Sequence, residues 1–543
     1  MALRDSPVTP AVTSDHDASG YRSTLIPVND QWLVVGAMLA GAVLVDTTIT
    51  DLVRLPLTRA DFIAATPDTW LPLAVVIVMM AGALALEWCG RSDTRERVAW
   101  LIAGAIGAAG AVWYFRAGDL DWYTTQDWVK EWSYHTAWRE SLSRGQLPWH
   151  LHDTFQGTRL FFANAETNVA PHVLLLTWLD VATFVVAQAT VLVAIGVAGS
   201  YALARELKLG PVASMAFLAI FLMNGHVIAH LETGHEQWVT FFLLPHVLLF
   251  LHCVAVGDVS GRTQAGLAVV LAMMALIGGW HVFVWAVIFI AVFVAGARAR
   301  WRFGATVALL VLGLIAVRVV PVLGFYDSPP REFVGSFQRL DVLIAAFVGE
   351  PRNITDNLSW WEYNTFVGWV GLTIVLAGVT APLNKVWKHP VSSLWLPSVV
   401  MVVLSTLNIY EWTLFRLPGF ESERVASRLL IVGVIGLTLI ACVQLNDWTA
   451  RCARSPWRVM ALSLAALLMA AQLVPHFNSR RPRSESKNVP PGVNVVSPQP
   501  PTPAYTWSVA GGGMVTLTSL GVAAAMFRRR RSRRTRVPEN GRG

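Results

Sequence analysis

Charge is scarce in this chain. Only 14% of its 543 residues are Asp, Glu, Lys or Arg, where about 25% is ordinary for a soluble domain. Beside 54% hydrophobic residues and a mean hydropathy of +0.50, that deficit excludes a conventional soluble enzyme, and equally a disordered or collagenous chain. Cysteine is also nearly missing. Cys89, Cys253, Cys442 and Cys452 lie far apart with no CxxC, which excludes a disulfide framework and a cysteine-based metal site. There is no Walker A motif, no GxGxxG opening a helix after a strand, and no HExxH. The net charge of +7 comes without a basic domain for nucleic acid. Much of the excess sits in a C-terminal RRRRSRRTR, which suits an anionic cytoplasmic leaflet.

What the chain does have is long apolar runs. They fall at 31–50, 71–89, 97–115, 181–204, 211–229, 237–257, 265–280, 283–297, 304–325, 365–383, 392–410, 426–445, 457–475 and 506–527. At about 20 residues per span, this predicts an all-α polytopic membrane protein of about fourteen helices, with a range of about twelve to fourteen. Gly278 and Gly279, with Trp280 and His281, mark a hairpin between two spans within 265–297. Lys and Arg fall mainly in alternate short loops, among them Arg91, Arg95, Arg205, Lys208, Arg298, Lys385 and Arg451. That bias puts both termini in the cytoplasm of a plasma (inner) membrane protein.

Residues 1–30 then read as a disordered cytoplasmic N-terminus without a cleavable signal peptide. Residues 31–475 form the transmembrane domain, with external loops 116–180, 326–364 and 411–425, the first large enough for short helices. A Pro/Ser/Arg-rich external linker, 476–505, ties a C-terminal accessory helix, 506–527, loosely to the rest, and 528–543 is a basic cytoplasmic tail.

The acids and imidazoles gather at the predicted outer ends of spans, where charge is costly and usually faces a cavity. In GDLDWYTTQDWVKEW, Asp119, Asp121 and Asp127 follow a span, and on a helix Asp127 shares a face with Glu131. The segment reads either as an interfacial amphipathic helix with an aromatic belt, or as a carboxylate held as general base or metal ligand. In HVIAHLETGHEQW, His226 and His230 lie one turn apart, with Glu232, His235 and Glu236 next. A zinc site is one reading, weakened by the missing HExxH order; a polar cluster lining a substrate cavity is another. Arg318 sits inside a span near Pro321 and either snorkels to the surface or holds a lipid phosphate. Arg424 and Arg428 in RLPGFESERVASRLL form either an ion-paired helix start or a second phosphate contact.

Four stretches together carry a family resemblance: GDLDWYTTQDW; RGQLPWHLHDTFQGTRLFFANAETNVAPHVLLL; WWEYNTFVGWVGL, which contains Glu362; and RLPGFESERVASRLL. The chain resembles polytopic membrane glycosyltransferases of the GT-C superfamily, particularly the bacterial YfhO-like branch, over most of residues 97–445. The resemblance implies a GT-C-like transmembrane domain that transfers a sugar from a polyprenyl-phosphate donor on the external face. The acceptor is a glycan, lipid or protein. A loop carboxylate deprotonates the acceptor or binds a divalent ion (Mg or Mn). That role maps to Asp127 first, then Asp119 or Asp121. The expected substrate-binding set is His226, His230, Glu232, His235, Glu236, Arg318, Glu362, Arg424 and Arg428. Two spans before the one that leads into the acidic loop, and the His-rich second cluster, depart from the usual pattern. They leave room for an altered substrate or a non-catalytic relative. A transporter or flippase, and an assembly protein, are the alternatives.

Overall fold

The computed structural model describes residues 127–153, 157–297, 300–325, 332–351, 359–417, 419–452, 456–479 and 501–528, with a few positions between 53 and 107. The N-terminal segment 1–30, the predicted spans 31–50 and 71–89, most of 97–115, Asp119, Asp121, most of the linker and the basic tail lie outside the described residues.

Every predicted apolar run from 181–204 to 506–527 falls on helix. Among the described residues, six helices are long and apolar enough to cross a membrane. Trp301–Leu314 and Ala316–Phe325 make a further span bent by 75°, and four apolar helices are shorter. The protein is an all-α, multi-pass membrane protein. Extended structure among the described residues is confined to short antiparallel pairs, such as His150–Asp153 with Gly157–Leu160, and isolated parallel bridges such as Gly335 with Val425.

Local chemistry sets the helix boundaries. Asp180, Asn224 and Ser260 each accept a backbone N–H three residues on, capping Val181–Glu206, Gly225–Glu232 and Gly261–Leu276. Pro211 opens Pro211–Met223 at a position that needs no N–H donor. The expected hairpin is present: Gly261–Leu276 and Trp280–Ala295 meet at Gly278, whose φ is +98°. A Cβ there would lie 2.3 Å from the Glu166 carbonyl, so the turn admits only glycine.

The span Ala426–Thr449 is the centre of the bundle, with 89% of its apolar window buried. From Leu429 to Val443 it is apolar on every side but for Thr438, as suits a central helix. Gly433 lets the neighbouring helix Trp395–Leu404 come close; a Cβ there would lie 2.6 Å from the Ser398 carbonyl.

The last helix, Pro503–Arg528, is held more firmly than a loosely tied accessory helix would be. Gly512 lets it lie against the backbone of Ala316 and Val317. Its Thr516 Oγ1 accepts the Val317 N–H (3.0 Å), just past the bend. Tyr505 is buried and its hydroxyl accepts the Phe162 N–H (2.9 Å). These contacts are single polar atoms on an apolar face, which is why periodicity did not reveal them.

Arg318 follows the same bend. Its guanidinium is buried and donates to the carbonyls of Asn164, Thr167 and Leu276. It therefore ties the Phe161–Ala163 loop region and the Gly278 hairpin to the bent span. Arg318→Met leaves those carbonyls without this donor, at a cost of about 1–3 kcal/mol for each one left unpaired. The thermal midpoint in detergent is expected to fall clearly; an unchanged midpoint would remove the clamp.

Candidate functional site

The site is assembled by a turn. Helix Trp128–Ser143 starts at Asp127, whose N–H donates to the Thr233 carbonyl (3.2 Å). Gly234, at φ +96°, lies so close that a Cβ would be 2.2 Å from the Trp128 nitrogen. Only glycine permits this approach. It seats the Thr233–His235 turn on the start of the helix and brings His235 to Asp127.

From there a line of titratable groups crosses the helix ends. Asp127 Oδ2 is 2.9 Å from His235 Nε2. His235 Nδ1 is 2.7 Å from His230 Nδ1. His230 Nε2 is 3.8 Å from Glu362 Oε2. Arg428 donates to both Glu362 oxygens, each at 2.6 Å. Arg428 Nη1 lies 4.0 Å from Glu423 Oε1. Glu423 Oε2 accepts from Trp285 Nε1 (2.6 Å) and pairs with His281 Nδ1 (2.9 Å).

Trp238 is the hub. The rings of His230 and His235 stack on it at 4.4 and 5.0 Å, and the Arg428 guanidinium lies 5.3 Å from its centroid. Its Nε1 donates to His226 Nε2 (3.2 Å). Trp238 and Trp285 are buried, so neither offers a face to a sugar.

Asp127 is the open end of the line, with its side chain 51% exposed, whereas His230 is fully buried. Partial burial pushes the Asp127 carboxyl up. The His235 hydrogen bond and the charges of Lys130 and His235 outweigh this and hold it below the usual carboxylate range. Burial pushes the His235 imidazole down against the pull of Asp127, which favours the neutral ring. Burial would raise Glu362, but the charge and hydrogen bonds of Arg428 hold it below the ordinary range.

Asp127, His226, His230, His235, Glu362 and Arg428 are thus brought together. Glu236 joins a different buried network: it pairs with His135 Nε2 (2.6 Å) and accepts from Gln188 Nε2, and Gln188 in turn meets His172. Glu232 is half-buried at the end of its helix. Arg424 is exposed. Arg318 lies apart in its carbonyl clamp. Asp119 and Asp121 lie outside the described residues.

Several members were not singled out from sequence. Glu423 stood among other charges, His281 read as a hairpin marker, and Trp238 as one of 24 tryptophans. Lys130 is another: it lies 2.8 Å from Glu166, 3.6 Å from Glu131 and 3.9 Å from Asp127. Burial pushes the Glu131 carboxyl well up despite Lys130 beside it. The i,i+4 spacing of Asp127, Glu131 and His135 was the available signal: Glu131 and His135 are buried on one face of the helix, and Asp127 stands exposed at its start.

No group of three or more His, Cys, Asp or Glu among the described residues is arranged to hold a metal ion. The zinc reading of the His cluster finds no support among the described residues. The Nδ1 atoms of His230 and His235 meet each other, His235 Nε2 meets Asp127, and His226 Nε2 accepts from Trp238. Those nitrogens already have partners, whereas His226 Nδ1 and His230 Nε2 have no hydrogen bond among the described residues.

The neutral His235 sets a pH dependence. Its folded pKa lies below the unfolded value of about 6.5, so the unfolded chain binds the proton more readily. The stability it contributes is present above that value and is lost as pH falls through the folded one. The depressed Asp127 adds the same sign further down, below about 3.9. Thermal midpoints in detergent, followed downward from about pH 8, are expected to fall. His235→Gln flattens the upper part of that fall; an identical slope would mean His235 does not titrate as stated.

No protein-family model and no curated protein matches the chain. A solved structure, the arabinofuranosyltransferase AftD from mycobacteria determined by single-particle cryo-EM, is similar over 71% of this chain at 14% identity and a TM-score of 0.47. The chain spans 27% of that protein's length. A likeness this slight carries no weight for activity.

Proposed function

We propose that the protein is a membrane glycosyltransferase of the external face. It transfers a sugar from a polyprenyl-phosphate donor to a glycan, lipid or protein acceptor, and it belongs with GT-C enzymes of the YfhO-like kind. One observation carries this reading. A half-exposed loop carboxylate, Asp127, lies in one bonded cluster with His235, His230, Glu362 and Arg428 at the ends of apolar helices. The four sequence stretches that resemble GT-C enzymes supply three of those elements.

The chemistry fits such a transfer. The acceptor hydroxyl attacks the anomeric carbon, its proton passes to Asp127, and the lipid phosphate departs with the bonding electrons. A donor with a membrane tail needs an anion contact beside the bilayer. Arg428 uses Nε and Nη2 on Glu362 and has Nη1 4.0 Å from Glu423 Oε1, so a phosphate oxygen would share Nη1 with that carboxylate. Exposed Arg424, four residues earlier, is a second contact. Arg318 is withdrawn from that role, because its guanidinium is spent on backbone carbonyls. The described residues supply no metal site, so a Mg or Mn ion enters this reading only through Asp119 and Asp121.

The test is transfer from a radiolabelled polyprenyl-phosphate sugar in isolated membranes. Asp127→Asn is expected to lower turnover by roughly 10²-fold or more, with a normal amount of protein in the membrane. Full transfer by that variant would discard Asp127 as the proton acceptor. EDTA treatment followed by Mg or Mn addition decides the metal: loss and recovery assign it, and unchanged turnover removes it.

A further inference from the structure

Lys130 is a cation set among three carboxylates. Its Nζ lies 2.8 Å from Glu166, 3.6 Å from Glu131 and 3.9 Å from Asp127. Burial pushes the Glu131 carboxyl well up, so that group is neutral near neutral pH and does not compete for the charge. Asp127 and Glu166 are left to share it. The distances show which has it: Glu166 accepts a hydrogen bond from the ammonium, and Asp127 stands just beyond hydrogen-bonding reach.

The two anions are held differently. Asp127 begins the helix that carries Lys130, three residues away and on the same face. Glu166 comes from a separate loop that is pinned on several sides. Its N–H donates to Asn164 Oδ1 (3.1 Å), and its carbonyl abuts Gly278 of the hairpin. The Asn164 and Thr167 carbonyls accept from buried Arg318. The Asn168 carbonyl accepts from Trp138 Nε1 (2.6 Å), and the Val169 N–H donates to the Leu276 carbonyl (2.7 Å). Lys130, by contrast, carries its ammonium on a flexible four-carbon stem. A shift of about 1 Å would close it on Asp127 at an ordinary N–O distance of about 2.9 Å. The fixed carboxylate therefore decides where the movable cation rests.

Resting on the glycosyltransferase reading above, we infer that Glu166 is a positioning residue for the transfer: it holds the Lys130 ammonium off Asp127 and so keeps that carboxylate open to the acceptor's proton. Asp127 is half-exposed, so the proton acceptor lies where a hydroxyl can reach it. An ammonium closed on a base harms it in two ways. It occupies lone pairs that the acceptor O–H needs, and it stabilises the anion and so weakens it as a base. At 3.9 Å Lys130 still favours the ionised carboxylate without closing on it. The charged groups that face Asp127 are His235 from the turn, Lys130 from its own helix and Glu166 from the loop, and Glu131 faces the same ammonium.

Glu166→Gln keeps the size and a hydrogen-bonding end but removes the charge. It is expected to lower kcat roughly 10-fold, because Lys130 then closes on Asp127. Adding Lys130→Met to that variant removes the intruding cation, and turnover is expected to rise several-fold above Glu166→Gln alone. A Glu166 that merely braces its loop gives no such recovery, so a double variant no faster than Glu166→Gln overturns the role. Asp127→Asn separates this from the function itself. Loss of transfer in that variant, with no recovery in the double one, strikes only the role of Glu166. Full transfer by Asp127→Asn strikes the reading on which it rests.

A second measurement does not depend on activity. In the full-length protein labelled with 13C-aspartate, the Asp127 carboxyl signal is identified by its loss in Asp127→Asn. Lys130→Met removes a cation and is expected to move the titration of that carboxyl upward. Glu166→Gln removes an anion and draws the cation in, and is expected to move it downward. The acid limb of kcat/KM, which reports the base of the free enzyme, should follow the same two directions. One common midpoint in wild type and both variants, or shifts in the same direction, overturns the proposal.

Discussion

The Arg428–Glu362 pair is the contact on which the clustered helix ends depend. Bringing a guanidinium and a carboxylate out of water costs several kcal/mol for each ion. Only close, two-pronged geometry offsets that cost. The pair has it, and Ser427 adds a hydrogen bond to the Glu362 carbonyl. Glu362 precedes the helix Gly368–Val379, and Arg428 opens the central span. Their bond therefore fixes two elements distant in sequence. Everything else in the cluster takes its charge environment from this pair: His230 faces the carboxylate, Trp238 carries the guanidinium on its ring, and Glu423 stands on the far side.

The backbone at this end of the bundle is irregular in a consistent way. His226 and His230 lie past a break at Asn224, and Glu236–Leu243 and Ala426–Leu429 are 3-10 turns. A regular α-helix points side chains around its whole circumference. Short, tight turns concentrate them in one place. Such turns leave backbone groups that must find partners, and non-helical backbone persists near a membrane only when packed in protein. Here the partners are side chains: Asn224 caps Val227, and Asn364 accepts from the Phe366 N–H. The cluster and the irregular turns need each other.

The architecture was legible because hydropathy and turn chemistry are local. Apolar runs marked each described span, and Gly278 marked the hairpin. The site was legible in part. Asp127, His230, His235 and Arg428 stood out as charge where charge is costly. What sequence did not give was pairing. Nothing in HVIAHLETGHEQW tells that His235 turns to Asp127 while adjacent Glu236 turns to His135. Arg318 misled for the opposite reason. An intramembrane arginine suggests an anionic ligand, yet carbonyls freed at a bent span satisfied it instead. Glu423 and Trp238 were hidden by residues of the same kind around them.

The helix Pro503–Arg528 supplies Thr516 to the bend beside Arg318 and Tyr505 to the loop at Phe162. It follows every other described helix in the chain, so it is made after them. Until it inserts, the bent span lacks a partner for the Val317 N–H, and the loop bearing Asn164 and Glu166 lacks its tyrosine prop. The contacts at this end of the protein are thus complete only once that helix is in place.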